Sequence, residues 1–171
     1  PNGAGAGNVT NNGTLRLNGI SVTINGLSGT GIVDSVSGTS TLTVGDNNAT
    51  GVSNTCAGVI RNSGGTLSLT KIGSGILTLT GVNTYSGATA VNVGTLLVNG
   101  SGVLGSGSAV SVENAATLGG NGTINGSVSV ASGGILSAGS ATGTIGKLTL
   151  GSTLALSGAS LNFDLNSPGT A

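Results

Sequence analysis

Gly75-Ile-Leu-Thr-Leu-Thr-Gly81 and Gly94-Thr-Leu-Leu-Val-Asn-Gly100 are built alike: two glycines enclose a short run with aliphatic side chains two residues apart. The unit recurs as Gly13-Thr-Leu-Arg-Leu-Asn-Gly19, Gly65-Thr-Leu-Ser-Leu-Thr70, Gly146-Lys-Leu-Thr-Leu-Gly151 and Ser152-Thr-Leu-Ala-Leu-Ser-Gly158. Further alternating runs fall at Ile20–Ile24, Leu42–Val44, Val91–Val93, Val110–Val112, Val128–Val130 and Leu161–Leu165. Period two puts apolar side chains on one face and polar ones on the other, as in a half-buried strand. No run of useful length has a 3.6-residue period, so the chain reads as all-β with essentially no helix.

Between the runs stand tight-turn residues, among them seven Asn-Gly pairs: Asn2-Gly3, Asn12-Gly13, Asn18-Gly19, Asn25-Gly26, Asn99-Gly100, Asn121-Gly122 and Asn125-Gly126. Alone, these would suit hairpins and an antiparallel meander. The internal repetition argues instead for a solenoid. So does a core of Leu, Val, Ile and Ala in which Tyr85 and Phe163 are the only aromatic residues, because a sandwich of this length usually buries several. At roughly 20 residues per coil, 171 residues make about eight coils. With about 4.8 Å between stacked strands the rod is about 40 Å long. Residues 1–171 read as a single array. The more polar stretch Gly45–Asn62 is expected to be a loop or a bulged coil. The end coils expose unpaired backbone, and Pro1 and Pro168 are the only features that blunt it.

Composition narrows the function. Gly, Thr, Ser and Asn make up 99 of 171 residues, charged residues only 5%, and His, Met and Trp are absent. Disorder normally needs low hydropathy with high charge, whereas mean hydropathy here is +0.38. A net charge of zero leaves no basic surface for phosphates, so nucleic acid is not an expected partner. One cysteine, Cys56, and no histidine exclude the usual zinc sites and an internal disulfide; Cys56 reads as a small buried hydrophobe. No apolar stretch reaches the roughly 18 residues of a membrane span. No cationic signal peptide is evident, and the start at Pro1 reads as a mature product or a segment of something longer.

The middle of the chain resembles a known repeat. Residues 69–101 run Leu69-Thr-Lys71-Ile-Gly73-Ser-Gly75-Ile-Leu-Thr-Leu-Thr-Gly81-Val-Asn83-Thr-Tyr85-Ser-Gly87-Ala-Thr-Ala-Val-Asn-Val-Gly94-Thr-Leu-Leu-Val-Asn-Gly-Ser101. This resembles the autotransporter-associated β-strand repeat of bacterial passenger proteins, with Lys71, Gly73, Gly75, Leu77, Leu79, Gly81, Asn83, Tyr85, Gly87 and Gly94 where that pattern wants them. Residues 104–149 resemble a less specific continuation, and the first 65 match in style only. The resemblance implies a right-handed parallel β-helix, an extracellular or outer-surface location, and a stalk, spacer or adhesive role. A membrane barrel and an export signal, which complete autotransporters have, are not seen in this sequence.

No residue is singled out as catalytic, cofactor-binding or metal-binding, and no cofactor is expected. The acids Asp34, Asp46, Glu113 and Asp164 lie far apart and read as isolated solvated charges rather than the close pair a polysaccharide-cleaving β-helix needs. Lys71 is expected to lie along its coil with its ammonium in water. Tyr85 is expected to cover a coil corner and bond backbone through its hydroxyl. No phosphate-binding glycine loop and no regular calcium nonapeptide are present. Thr41-Leu-Thr43 and Thr78-Leu-Thr80 are too few for an ice-binding ladder. Six Asn-x-Ser/Thr triplets, at Asn8, Asn12, Asn48, Asn99, Asn121 and Asn125, follow from the composition. The expected role is a non-enzymatic extracellular stalk or fibre segment of a bacterial surface or secreted protein. Its expected partners are copies of itself stacked through the end coils, or further coils of a longer chain. The alternative is an adhesin-type module for glycans or cell surfaces; a polysaccharide-acting enzyme and an ice-binding solenoid are weaker readings.

Overall fold

A computed structural model describes residues 7–45, 54–105, 107–139 and 145–163. Every described element is a strand, and the paired strands run parallel. The chain winds round three faces in turn. The first face collects β1 (Asn8–Thr10), β4 (Gly26–Ser28), β7 (Thr55–Cys56), β10 (Ile76–Leu79), β12 (Gly94–Val98), β15 (Ala116–Gly120), β18 (Ile135–Ala138) and β21 (Ser160–Phe163). The second has β2 (Thr14–Asn18), β5 (Ile32–Ser37), β8 (Val59–Asn62), β13 (Val103–Leu104), β16 (Thr123–Ile124) and β19 (Thr149–Leu150). The third has β3 (Val22–Ile24), β6 (Thr39–Val44), β9 (Thr66–Lys71), β11 (Thr89–Val91), β14 (Val110–Val112), β17 (Val128–Val130) and β20 (Leu154–Leu156). Strands pair with their counterparts one turn on, with breaks between β4 and β7 on the first face and between β8 and β13 on the second, so the described residues form a parallel β-solenoid of about seven turns.

Seven turns replace the expected eight because two of them are long. On the third face Val22 aligns with Leu42, then Leu69, Thr89, Val110, Val128 and Leu154, in steps of 20, 27, 20, 21, 18 and 26 residues. At about 4.8 Å per turn the column is about 34 Å tall. In the polar stretch Gly45–Asn62, residues 46–53 lie outside the described residues, but β7 and β8 are regular strands of the first of the two long turns.

Alternation builds the core. Leu77, Leu96, Leu118, Leu136 and Leu161 stack in one column of the first face. Leu15, Val33 and Ile60 stack in the second face, as do Leu104, Ile124 and Leu150. Each such side chain, removed from water, is worth about 1.5–3 kcal/mol. The period-two reading overshoots in two places. Ile20 is exposed, because left-handed Gly19 (φ 74°) turns the chain before β3 begins. Val93 is exposed too, because β11 ends at Val91 and the chain is already rounding a corner. That corner, from third to first face, carries a left-handed residue in five successive turns: Gly73 (φ 69°), Gly94 (72°), Ala115 (61°), Gly133 (78°) and Gly158 (68°).

The last described turn is open. Its inward residues Leu154, Leu161 and Phe163 are 40%, 42% and 61% exposed. With Leu136, Leu148 and Leu150 they line an apolar hollow of about 100 Å³. Pro1, Pro168, Asn2-Gly3, Asp46, Asn48 and Asp164 lie outside the described residues.

Candidate functional site

The densest set of buried polar groups lies in the turn running from the end of β9 to β12. Lys71 closes β9 on its inward side, in register with Val44 below and Val91 above. It is 1% exposed, so the expectation of a water-facing ammonium is overturned. Strand alternation after Leu67 and Leu69 sends Lys71 into the core, and the turn through Gly73 brings carbonyls to meet it. Nζ donates to the carbonyls of Ile72 (2.6 Å), Gly73 (2.8 Å) and, one turn on, Val93 (3.4 Å). Burial pulls the amine down to about 8. It therefore stays an ammonium at neutral pH, and the three carbonyls match its three donors.

Asn83 stands where the second face has no strand of its own. Its Oδ1 accepts from the Ile60 amide (2.9 Å) in the preceding turn, and its Nδ2 donates to the carbonyls of Gly81 (2.9 Å) and, in the following turn, Val103 (3.1 Å). The side-chain amide thus acts as a peptide group set between two ladders. The backbone beside it pairs as well: the Asn83 amide donates to Val103 and the Thr84 amide to Ile60.

Tyr85 is fully buried. Its hydroxyl bonds side chains rather than the expected backbone: Tyr85 Oη lies 2.6 Å from Thr89 Oγ1, which lies 2.6 Å from Ser108 Oγ in the next turn. Burial pushes the phenol up to about 12, though the Thr89 and Ser108 hydroxyls pull the other way. On the outer side the Ser86 amide donates to Asn62 Oδ1 (2.7 Å). These groups tie one turn to both neighbours.

With that geometry in place, the comparisons acquire a structural meaning. Residues 69–98 match the family model of the passenger-associated-transport-repeat. Residues 69–98 are thus a passenger-associated-transport-repeat within the solenoid. The matched segment is the turn that holds Lys71, Asn83 and Tyr85. Over 63 residues, 36% of its length, the chain is 49% identical to the adhesin BmaC autotransporter of Brucella suis biovar 1 (strain 1330). The chain covers about 2% of that relative's length. No solved structure matches.

Outside the passenger repeat one charged group departs from expectation. Asp34 is 2% exposed, not solvated. Its Oδ2 accepts from Arg61 Nε (3.0 Å) and the Ser63 hydroxyl (3.1 Å), and its Oδ1 from the Ser63 amide (2.9 Å). Burial alone would raise this carboxyl, but the Ser63 amide and hydroxyl and the Arg61 guanidinium outweigh it and hold it below its ordinary value. The sequence signal was the in-register column Arg16, Asp34, Arg61, invisible until the turn length is known. Glu113, by contrast, is exposed, and three turns separate it from Asp34, about 14 Å along the axis. Carboxylate pairs that cleave glycosidic bonds sit about 5–9.5 Å apart.

Among the described residues no three His, Cys, Asp or Glu side chains converge on a metal position. Cys56 is buried, as expected, and burial pushes its thiol up. Thr41-Leu-Thr43 lies on the third face and Thr78-Leu-Thr80 on the first, so they form no common ladder. Thr43 does align with Thr23 and Thr70, but the column continues as Ala90. A shallow groove of about 200 Å³ crosses three turns of the third face, lined by Ser111, Glu113, Ser129 and Ser157 among others.

Proposed function

We propose that the chain is a rigid, non-catalytic stalk segment of a bacterial surface or secreted passenger protein. The observation that carries this reading is the passenger repeat built as one turn of an in-register column, with buried polar groups bonded to the turns before and after it. Such a turn transmits position along the axis and offers no converging reactive groups. The adhesin relative supports an extracellular setting. In series with further turns the segment spaces whatever lies beyond it. Small-angle scattering from one, two and three copies fused in tandem tests the stalk reading: the long dimension should grow by about 34 Å per copy, at about 4.8 Å per turn. Compact particles of unchanged length would refute it.

The finer reading concerns the open turn. Leu154, Leu161 and Phe163 are inward side chains with no turn over them among the described residues, which supports a following β-solenoid turn as their cover. In an isolated chain that cover is a second copy stacked end to end, and heterologous contacts of this kind propagate into filaments. Negative-stain microscopy over a concentration series should show rods that lengthen with concentration, and Leu161→Thr with Phe163→Thr should shorten them. Single columns at every concentration would refute stacking and leave the stalk reading to the tandem measurement.

A second reading, adhesion along one face, is supported by the groove at Ser111, Glu113 and Ser129 and by the adhesin relative. Binding on a glycan array that Glu113→Ala abolishes would favour it.

A further inference from the structure

Each Asn-Gly pair is a place where the glycine nitrogen can attack the asparagine side chain, and the fold treats these pairs unequally. Reaction needs a glycine amide that is free to lose its proton to water-borne base and free to move. At Asn121-Gly122 the glycine amide donates to the Val98 carbonyl (2.8 Å). At Asn99-Gly100 it donates to Asn121 Oδ1 (2.6 Å), while Asn99 Oδ1 accepts from the Asn121 amide. At Asn12-Gly13 it donates to Asn11 Oδ1 (3.2 Å), and Asn12 Oδ1 holds the Thr30 amide. Asn25 is buried, with its Nδ2 on Asn8 Oδ1 (2.6 Å). At Asn125-Gly126 the glycine amide has no partner among the described residues, but Gly126 is buried, and a side chain built on it would meet the Ser108 carbonyl oxygen.

Asn18-Gly19 combines an exposed pair with a glycine amide that has no partner among the described residues. The nearest atoms to a side chain built there would lie 3.7 Å away, so the site has room. The ladder is already irregular at this point: Arg16 aligns with Asp34 but Asn18 with Ser37, a slip of one residue. Gly19 then leaves the strand in the left-handed region, φ 74°.

We propose that Asn18-Gly19 is a site of spontaneous covalent modification, the first to deamidate of the six Asn-Gly pairs among the described residues. The deprotonated Gly19 nitrogen attacks Asn18 Cγ. A C–N bond forms to that nitrogen, the bond to Nδ2 breaks, and ammonia leaves with the added protons. Water then opens the five-membered imide at either carbonyl, giving aspartate or isoaspartate. One water is consumed, one ammonia released, and no oxidant or reductant takes part. The new carboxylate stands two residues from Arg16 on the same side of β2. Arg16 has no ion pair among the described residues, whereas Asp34 beside it is already taken by Arg61. The modification thus adds one negative charge to a chain of net charge zero, next to a guanidinium that has no ion-pair partner among the described residues.

The test is peptide mapping by mass spectrometry after incubating the folded protein in mildly alkaline heavy-oxygen water, which labels each new carboxylate. A parallel sample is held unfolded in urea. Freeing a bonded glycine amide costs about one hydrogen bond, so in the folded sample Asn18 should convert about five-fold faster than Asn99 or Asn121. In urea the difference should vanish. Asn18→Gln should remove the fast phase from the folded sample and leave the slow ones. Conversion of Asn99, Asn121 or Asn125 at the rate of Asn18 in the folded sample would overturn the proposal. So would a ranking that persists in urea.

Discussion

Lys71 is a charge placed where valine stands one turn below and one turn above, and its effect on stability has a definite sign. Its amine titrates near 8 in the fold against 10.5 ordinarily. Between those values the unfolded chain holds a proton that the native chain has lost, so Lys71 makes stability rise as pH climbs from about 8 to 10.5. The Cys56 thiol, raised by burial, opposes this above pH 9, its ordinary value. Tyr85, raised from 10 to about 12, opposes it above pH 10. The difference between the wild type and Lys71→Met in urea melts isolates the lysine: the gap should change in favour of the wild type from pH 8 to 10.5. A gap independent of pH would contradict the buried ammonium. Ala115 is the other telling residue, because it alone among five equivalent corners is not glycine yet takes φ 61°. Relief of left-handed strain outweighs the extra freedom of the unfolded chain, so Ala115→Gly should add about 0.5–1 kcal/mol to stability in the same melts. The sequence marks Lys71 and Tyr85 as notable but cannot say which way they point. Lys71 obeys the alternation of Leu67 and Leu69, and a polar residue at an inward position looks like an outward one until its carbonyl partners are known.

At the scale of the strand, alternation was enough to find most elements and too coarse to place them. The recurring unit of six or seven residues does not mark one position per turn. It supplies β2 and β19 on the second face, β9 and β20 on the third, and β10 and β12 on the first. The repeat is therefore a repeat of strands and does not report the turn length, which varies from 18 to 27 residues. Short elements such as β7, β13 and β16, two residues each, hold too little pattern to be read. The passenger repeat lacks a strand at the second face, and Asn83 supplies the pairing instead. Asn83→Ala would leave the Ile60 amide without its partner and remove two donors. A loss of about 2–4 kcal/mol is expected, since each buried group left unpaired costs about 1–3 kcal/mol. Hydrogen exchange should show it as lost protection at Ile60, with the Leu77–Leu79 amides spared if the damage stays local.

Across the whole molecule each turn touches only the turns beside it, so stability is close to a sum of turns and contacts between them. A cavity in a central turn should be felt more than one at the open end. Leu96→Ala, in a fully buried column position, should cost about 2–5 kcal/mol, and Leu161→Ala, 42% exposed, clearly less. Equal losses in thermal or urea melts would mean that the last turn is covered in solution. The architecture itself was legible from period two, repetition and the lack of aromatic bulk. The charged cluster at Asp34 was not, because its partners Arg61 and Ser63 lie a full turn away in a chain whose turn length varies.

Because the three ladders run up the column, every cut across it meets hydrogen bonds aligned with the long axis on all sides at once. A steady pull shared evenly by the three faces must break a whole ring of bonds together. A pull applied to a loose chain end breaks them a few at a time, round and round, like thread leaving a spool. The same protein should therefore resist tension delivered through a neighbouring turn far better than tension delivered through a dangling tail.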